Sequence, residues 1–391
     1  MSSNSWHTNE LGQIAEIIDC PHSTPKWIDS GYLVIGTPNV RNGRLILDKA
    51  RYTDEKNFNE RISRGKPDFE DLILTREAPM GEVCIVPENL ECCLGQRVVL
   101  VKPNRKMVFP QFLLYSLQSR FVQNQINAHE GAGSTVSNLR IPVIHSLKIP
   151  LPEMATQKRI AGILSALDEK IELNRQTNAT LEAIAQAIFK EWFVHEEVTS
   201  DWELVALPEI IALNPRRYLK KDELAPYLDM ANVPTEGHRA IEWREREFSS
   251  GTRFANGDTL LARITPCLEN GKTAFVDFLD NEEIGWGSTE FIVLKPKPPL
   301  PPAYGYYLAR SKELRKHATL NMVGSSGRQR VPTSSFDNFL IPLPPIELAE
   351  KFGIFAEDLM NMIRTNDNQS RTLAQIRDTL LPKLMRGEVV V

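Results

Sequence analysis

Two stretches of the chain carry apolar side chains at alternating spacings of four and three residues. The first stretch runs through Ile160, Leu164 and Leu167 and continues to Ile188. The second stretch repeats this spacing 192 residues later, from Phe352 to Leu380. Sustained 4-3 spacing predicts a helix with a seam that packs against another helix. The simpler interpretation is an ordinary amphipathic helix that packs on its own domain.

Polar residues interrupt both seams at equivalent positions, with Asn174 and Asn178 in the first and Asn366 and Ser370 in the second. A buried amide in such a seam fixes the register of the two helices at some cost in stability. These layers favour a coiled coil. The predicted seam positions are Leu164, Leu167, Ile171, Asn174, Asn178, Leu181, Ile188, Leu359, Ile363, Asn366, Ser370, Leu373 and Leu380.

The regions that precede the two helices are also repeated. Glu10–Ile18 is echoed by Glu203–Ile211 at a displacement of 193 residues, and Ile149–Pro152 by Ile341–Pro344 at 192. Both regions contain short runs of β-branched and aromatic residues separated by Gly, Pro and Asn, which is typical of strands and turns. Each region is therefore predicted to be a mixed α/β domain.

Together these patterns predict an α+β fold with an internal pseudo-two-fold repeat. Its two mixed α/β domains, 1–150 and 200–344, are separated by two long helices within 151–199 and 345–391. A proline-containing Ile-Pro-Leu-Pro segment precedes each helix and prevents the helix from extending backward. Because the second domain follows the end of the first helix, the second helix must run back, so the coiled coil is antiparallel. At 1.5 Å per residue each helix is ~60 Å long.

Composition excludes several classes of protein. A chain of 391 residues exceeds what one hydrophobic core organises. No apolar run approaches the roughly 20 residues that span a bilayer, and Met1–Glu10 lacks the pattern of a signal peptide, so we expect a cytoplasmic protein without a membrane role. Five cysteines lack metal-ligand spacing, and no metal is expected. The net charge is −4, yet the two domains hold 35 of the 46 Lys and Arg residues.

Two fragments resemble catalytic motifs without completing them. Glu269–Thr273 ends like a phosphate-binding loop, but Pro266 occupies the position of the first glycine. Asn214-Pro-Arg-Arg-Tyr218 resembles the Asn-Pro-Pro-Tyr motif of amino-methyltransferases, but arginines fill its interior and no cofactor loop precedes it. We therefore predict that the chain is not an enzyme and has no catalytic residues.

Basic and small polar residues fall in predicted loops at matching places in the two domains. Arg and Gln side chains suit base edges in the major groove, whereas Ser, Thr and Lys suit phosphates. Each residue alone is as well explained as a solvated surface group. As a paired set they favour DNA binding, and the candidates are Arg41, Arg44, Arg76, Gln96, Arg97, Ser134 and Thr135 in the first domain and Arg263, Lys272, Ser288, Thr289, Arg328, Gln329 and Arg330 in the second.

These features together resemble the specificity subunits of type I restriction-modification systems. The resemblance covers nearly the whole chain. It rests on the two Ile-Pro-Leu-Pro segments with their helices, on the paired segments Thr75–Gly81 and Ala262–Cys267, and on the loops Gly133–Thr135 and Gly324–Ser326. None of these pieces is diagnostic alone, but their ordered duplication is.

The resemblance implies that each domain is a target recognition domain that reads half of a bipartite site in double-stranded DNA. Two diverged domains predict an asymmetric site. The resemblance further implies that the helices dock two methyltransferase subunits, which bring S-adenosylmethionine, and that restriction or translocase subunits join for cleavage. The chain itself would bind no cofactor. Two alternatives stay open: the specificity module of another restriction-modification type, and a coiled-coil adaptor that does not read DNA.

Overall fold

The computed structural model describes residues 6–47, 50–129, 138–240, 242–325, 327–389 and 391. The chain divides into two compact units. Unit 1 combines residues 1–171 with 371–391, and unit 2 is the continuous segment 172–370. Each unit therefore contains one sheet-rich region and part of both long helices.

In unit 1 the elements form a mixed α/β domain. Its strands are β1 (His7–Glu10), β2 (Ala15–Asp19), β3 (Trp27–Ile28), β4 (Tyr32–Ile35), β5 (Val40–Arg41), β6 (Arg44–Leu45), β7 (Arg51–Thr53), β8 (Leu72–Thr75), β9 (Val83–Ile85), β10 (Cys92–Leu94), β11 (Val98–Pro103) and β12 (Lys148–Leu151). Its helices are α1 (Leu11–Ile14), α2 (Glu55–Ile62), α3 (Pro110–Gln118), α4 (Arg120–Asn127) and α5 (Ile141–Ser146), with a 3₁₀ turn at Thr37–Asn39. The first long helix, α6 (Met154–Phe193), follows this domain.

In unit 2 the same kinds of element recur. Its strands are β13 (Leu204–Ala206), β14 (Ile211–Leu213), β15 (Leu224–Leu228), β16 (Arg244–Glu247), β17 (Thr252–Phe254), β18 (Thr259–Ala262), β19 (Thr273–Phe275), β20 (Gly285–Gly287), β21 (Phe291–Pro296) and β22 (Leu340–Pro342). Its short helices are α7 (Glu196–Thr199), α8 (Leu207–Ile210), α9 (Pro302–Arg310) and α10 (Lys312–Leu320), with 3₁₀ turns at Met230–Asn232 and Thr333–Asn338. The second long helix, α11 (Ile346–Met385), ends the fold.

The central sheet of unit 1 is buried on both faces, which explains its continuous apolar run. Its strand order is β2-β11-β8-β9, and all neighbours are antiparallel. Successive side chains of a strand point to opposite faces. Val99 and Val101 accordingly join the core formed with the helices, whereas Val98 and Leu100 join the core shared with the second sheet. A strand covered on both sides needs apolar residues at every position.

Unit 2 repeats this construction. Its central sheet has the order β14-β21-β18-β19, again antiparallel throughout. In β21, Ile292 and Leu294 face one core, and Phe291 and Val293 face the other. The second sheets, β10-β4-β7-β3 and β16-β15-β20-β17, each contain one parallel pair but differ in the placement of an outer strand. The internal repeat predicted from the sequence is confirmed, and the two copies have diverged at their second sheets.

The long helices pair in antiparallel fashion within each unit. In unit 1, Asp168 of α6 lies 2.7 Å from Arg377 of α11. In unit 2, the rings of Phe189 and Phe352 lie 5.4 Å apart. Residues later in α6 thus contact residues earlier in α11, as the predicted antiparallel coiled coil requires. Every predicted seam residue on the two helices is buried or half-buried.

A polar layer interrupts the seam in unit 2. The Asn174 amide nitrogen lies within 3.2 Å of the Asn366 carbonyl, 2.9 Å of Gln369 Oε1 and 3.1 Å of Ser370 Oγ. Asn366 donates to Asn178 Oδ1 at 2.8 Å. Because Asn174 is 2% exposed, its amide must be satisfied by the facing helix. A shift of one helix along the other would break these hydrogen bonds, so the layer fixes the register.

Each sheet domain is attached to α6 by a tyrosine hydroxyl that donates to a carboxylate, and in unit 2 this is the bond from Tyr306 to Glu182 at 2.7 Å. In unit 1 the Tyr115 hydroxyl donates to Asp168 Oδ2 of α6 at 2.8 Å, and burial raises the pKa of this phenol. In unit 2 an aromatic cluster fills the junction: Phe189 stacks edge-on against Tyr304 and Phe352, with ring centroids 5.3 and 5.4 Å apart. In the part of the chain described here, no helix is long and apolar enough to cross a membrane.

Candidate nucleic-acid interface

Arg76 and Arg263 occupy equivalent positions, each directly after the third strand of its central sheet. The backbone N–H of Arg76 donates to the Arg97 carbonyl at 2.8 Å, and that of Arg263 donates to the Glu290 carbonyl at 2.9 Å. Arg97 directly precedes β11, and Glu290 directly precedes β21. These are the inner strands that pair with β8 and β18. The backbone around Arg76 therefore has the same hydrogen-bonding arrangement as the backbone around Arg263, and we call this arrangement the backbone frame. The side chains that surround it differ between the two units.

The side chains of these two arginines differ in burial. The Arg76 guanidinium is buried; it pairs with Asp19 at 2.8 Å and donates to the Leu139 carbonyl at 2.9 Å and to Asn138 Oδ1 at 3.3 Å. All its nitrogens are thus engaged inside unit 1, and a base contact by Arg76 would have to break a buried ion pair. Arg263 is half-buried, and its Nε has no hydrogen-bond partner among the described residues.

In unit 2 the structure gathers most of the predicted residues around Arg263. Arg330 is exposed and makes a two-point contact with Glu290 at 2.8 and 2.9 Å, which raises its pKa. Thr289 is exposed, and the Ser288 hydroxyl accepts from the Glu290 N–H at 3.1 Å. Because Ile264 and Arg330 are paired across a β-bridge, the loop of residues 327–330 lies beside the end of β18. We call this loop the unit 2 reading loop.

Within the unit 2 reading loop, Arg328 is exposed and the described residues provide no partner for its guanidinium, while Gln329 is half-buried. Lys272 is placed differently. Its ammonium group donates to the carbonyl of Met230 at 2.6 Å and lies 3.3 Å from that of Ala231, so it braces the preceding turn. Arg328 therefore combines the exposure and the free donors that a base contact requires, whereas Lys272 has a structural partner.

In unit 1 the predicted residues are more dispersed. Arg41 donates to the carbonyls of Thr37 and Val40, and Arg44 approaches the Asp168 carbonyl of α6 at 3.4 Å. Gln96 donates to the His22 carbonyl. Arg97 is 56% exposed in its side chain and pairs with Glu77 at 3.1 Å. Ser134 and Thr135 lie outside the described residues. Of this group, Arg97 is the residue with the most accessible charge.

Two exposed arginines that the sequence reasoning did not select lie on β16. Arg244 and Arg246 alternate with glutamates, so both point to the same side of the strand. The Arg246 guanidinium lies 4.7 Å from the Tyr227 ring and 5.4 Å from the Trp286 ring. The Arg-Glu-Arg-Glu alternation was the available signal. In unit 1, Arg51 stacks over Trp27 at 3.5 Å on the corresponding second sheet.

The described residues contain no group of three or more His, Cys, Asp or Glu side chains that could hold a metal ion. Four of the cysteines are buried, and burial raises the pKa of Cys93 to about 11 and that of Cys92 to about 12. Their thiols are therefore protonated at neutral pH.

Comparison with known proteins identifies the family. The sequence profile described as the type I restriction modification DNA specificity domain matches this chain twice, over residues 4–183 and 199–376. The chain therefore belongs to the family of type I restriction-modification specificity proteins, whose members are non-catalytic specificity subunits. Membership implies DNA binding and assembly with other restriction-modification subunits. The predicted family and the predicted lack of an enzymatic role are confirmed.

Individual relatives agree with the profile. The chain is 31% identical to the EcoAI specificity subunit of Escherichia coli over 60% of its own length, and this match spans 39% of that relative. It is 24% identical to the HindI specificity subunit of Haemophilus influenzae over 90% of this chain and 95% of the relative. The fold matches that of the S subunit of a type I system from M. genitalium with a TM-score of 0.57, 19% identity and coverage of 98% and 97% of the two chains.

Proposed function

We propose that this chain selects the DNA sequence for a type I restriction-modification complex, with the sheet domain of each unit reading one half of a two-part duplex site. The observation that carries the proposal is the equivalent backbone frame around Arg76 and Arg263. Because the frames match while the surrounding side chains differ, the two half-sites should have different sequences. The recognised site is then asymmetric.

Base contacts in unit 2 come from the unit 2 reading loop. An arginine can donate two hydrogen bonds to O6 and N7 of guanine, and each such pair discriminates by about 1–3 kcal/mol. Arg328 is exposed on this loop. Arg330 is held by Glu290, so it would have to exchange that carboxylate for a base edge. We therefore assign the main base contact to Arg328.

Docking of two methyltransferase subunits is supported by apolar residues that face away from the seam. Ile184 of α6 lies in unit 2 and Ile376 of α11 lies in unit 1, and each is 42% exposed. The two positions are 192 residues apart and so are equivalent in the repeat. Exposed apolar residues at equivalent positions are typical of a repeated protein interface. One interface in each unit accounts for two subunits.

The remaining partners complete the proposal. The methyltransferase subunits supply S-adenosylmethionine and extrude the target adenine, and this chain binds no cofactor. Restriction or translocase subunits join the complex for cleavage. The complex works in the cytoplasm, where the cell's DNA and S-adenosylmethionine are available.

Methylome sequencing tests the DNA assignment. A host that expresses this chain with its methyltransferase should carry adenine methylation at one asymmetric two-part motif, and deletion of the chain should abolish it. Replacing residues 1–150 with the corresponding domain of a relative should change one half of the motif only. A change in both halves, or methylation that persists without the chain, would contradict the proposal and favour an adaptor role.

The contact assignment has a matched test. Arg328→Gln should weaken binding to the cognate site by about 1–3 kcal/mol and relax selectivity at one base pair. Arg159→Gln removes another exposed arginine, on α6, and should leave binding unchanged. Equal weakening on all sequences would instead identify Arg328 as a phosphate contact.

The docking assignment is tested by co-purification of the chain with its methyltransferase. Ile184→Asp or Ile376→Asp should each remove one of two methyltransferase subunits, because a carboxylate cannot be buried unpaired in an apolar interface. The double variant should remove both. Retention of two subunits by the double variant, with unchanged helicity by circular dichroism, would refute this interface.

A further inference from the structure

A polar recess lies in unit 2 between the segment that follows β14 and the start of β17. It is lined by Asn214, Pro215, Arg216, Arg217, Gly251, Thr252 and Arg253. The segment is the Asn-Pro-Arg-Arg-Tyr motif, whose resemblance to a methyltransferase motif leads to no catalytic role. We call this feature the arginine recess. Three of its seven lining residues carry a guanidinium group.

The two walls of the arginine recess are held rigidly by the backbone. Asn214 has a positive φ of 48°, its N–H donates to the Val293 carbonyl at 2.8 Å, and its Oδ1 accepts from the Val293 N–H at 2.9 Å. Gly251 has a φ of 149°, and a Cβ at this position would lie 2.1 Å from the Gly287 carbonyl oxygen. Only glycine fits there. The recess is therefore a preformed feature of the fold.

The charge inside the arginine recess is not balanced. Arg217 is 9% exposed in its side chain, and its Nη2 lies 2.6 Å from the carboxylate of Asp258, which is fully buried. Its Nη1 is buried without a hydrogen-bond partner in the described structure, and so is Nε of Arg253. Arg216 is exposed. Three arginines thus line the recess and one of them is paired with a carboxylate, while two of their buried N–H groups have no acceptor among the described residues.

Unsatisfied guanidinium donors in a preformed recess indicate an oxyanion ligand. A buried N–H without a partner is destabilising, and a bound oxyanion would accept its hydrogen bond. Arginine forks match phosphate oxygens, and the excess positive charge disfavours a neutral base edge. The Asn214 amide also lies 3.4 Å from Thr333 Oγ1, and Thr333 follows the unit 2 reading loop by three residues. The recess and the loop therefore belong to the same surface of unit 2.

We propose that the arginine recess binds a backbone phosphate of the DNA half-site that unit 2 reads. This inference rests on the proposed function and adds a contact that positions the duplex without reading its sequence. The contact is proposed for unit 2, where Asp258 pairs with Arg217. In unit 1 the residue equivalent to Asp258 is Asp71, and its carboxylate pairs with Lys102 of β11 at 2.9 Å.

The first part of the test uses inorganic phosphate and the full-length chain. Isothermal titration should detect phosphate binding, and the double variant Arg216→Gln/Arg253→Gln should weaken it at least about tenfold because two of three guanidinium groups are lost. This variant leaves the Arg217–Asp258 pair intact. The control is Lys220→Gln/Lys221→Gln, which removes the same charge from exposed residues of the same segment and should bind phosphate as the parent chain does.

The second part measures duplex DNA binding by the methyltransferase complex as a function of salt. Loss of one phosphate contact should reduce the slope of log K against log salt by about 0.9, which changes the affinity ratio between 50 and 200 mM salt by about threefold. The Arg216→Gln/Arg253→Gln variant should show this loss equally on cognate and noncognate duplexes. The lysine control should keep the parent slope.

The outcomes separate the two proposals. If the arginine variant and the lysine control behave alike in both measurements, the recess is not a phosphate site. If DNA binding depends on Arg328 but not on Arg216 and Arg253, the proposed function stands and the recess proposal fails. If the complex does not bind DNA while the chain binds phosphate through these arginines, the proposed function fails, and the assignment of the recess to DNA fails with it.

Discussion

Replacing Phe189 by alanine should destabilise unit 2 by about 4 kcal/mol. The side chain is 1% exposed, and its ring lies 5.2 to 5.4 Å from those of Phe193, Tyr304 and Phe352. Truncating a buried phenylalanine costs about 3–5 kcal/mol from lost burial and the cavity that remains. Each lost aromatic pair adds about 0.5–1.5 kcal/mol beyond burial, so we expect a loss of about 4 kcal/mol and not one at the lower end of that range.

Urea unfolding followed by tryptophan fluorescence measures this loss. Trp192 and Trp202 lie 6.4 Å from Phe193, so their emission reports on the cluster. With an m-value of about 2–3 kcal/mol/M, the midpoint should fall by about 1.5 M. Ile354→Ala on α11 is the control; this side chain is 68% exposed, and its loss should change stability by less than about 0.5 kcal/mol. A loss below about 1 kcal/mol at Phe189 would refute the view that the cluster joins the helices to this domain.

Three further outcomes follow from particular contacts. Tyr115→Phe should cost about 0.5–1.5 kcal/mol in urea unfolding, because it removes the hydrogen bond to Asp168; an unchanged midpoint would show that this bond contributes nothing. With Ellman's reagent at pH 8, only the half-buried Cys267 should react quickly in the native chain and all five thiols after unfolding, because burial raises the pKa of the other four; several fast thiols would contradict this packing. Hydrogen bonds from the Asn57 N–H and side chain lower the pKa of Asp54 to about 2, so its stabilisation should be complete above pH 4 and be lost toward pH 2. The stability difference between the parent and Asp54→Ala should follow that course, and a difference independent of pH between 2 and 5 would exclude the carboxylate as its source.

The parts of the fold that depend on periodic patterns were predictable from the sequence. The 4-3 spacing gave the antiparallel helices, and the polar positions Asn174 and Asn178 proved to contact the facing helix in unit 2. Helix pairing depends on local periodicity and on the order of the elements along the chain, and both can be determined from the sequence. The two long helices, Met154–Phe193 and Ile346–Met385, contain the whole pattern and extend about one and a half turns beyond each of its ends.

The environments of individual arginines were not predictable. Arg76 follows a strand and resembles an exposed loop residue, but the fold brings Asp19 to it from 57 residues away. The guanidinium of Arg217 is likewise buried, and it pairs with Asp258, which lies 41 residues further along the chain. Whether an arginine is exposed depends on such distant partners, and a single sequence does not reveal them. The arginine recess was missed because Gly251 and Asn214 are brought together only by sheet topology.

The division of the chain between the two units has a consequence for synthesis. Unit 2 is continuous, but unit 1 needs residues 371–391, whose Leu384 and Met385 are buried in its core. During translation unit 2 can therefore fold before unit 1 is complete, although the synthesis of unit 1 starts first. Until its last helical turns leave the ribosome, the nascent first domain exposes the apolar surface that these residues cover. A chain shortened by about 20 residues would lose part of the core of the domain nearest its start, so prematurely ended products should be recognised and degraded as unfolded protein.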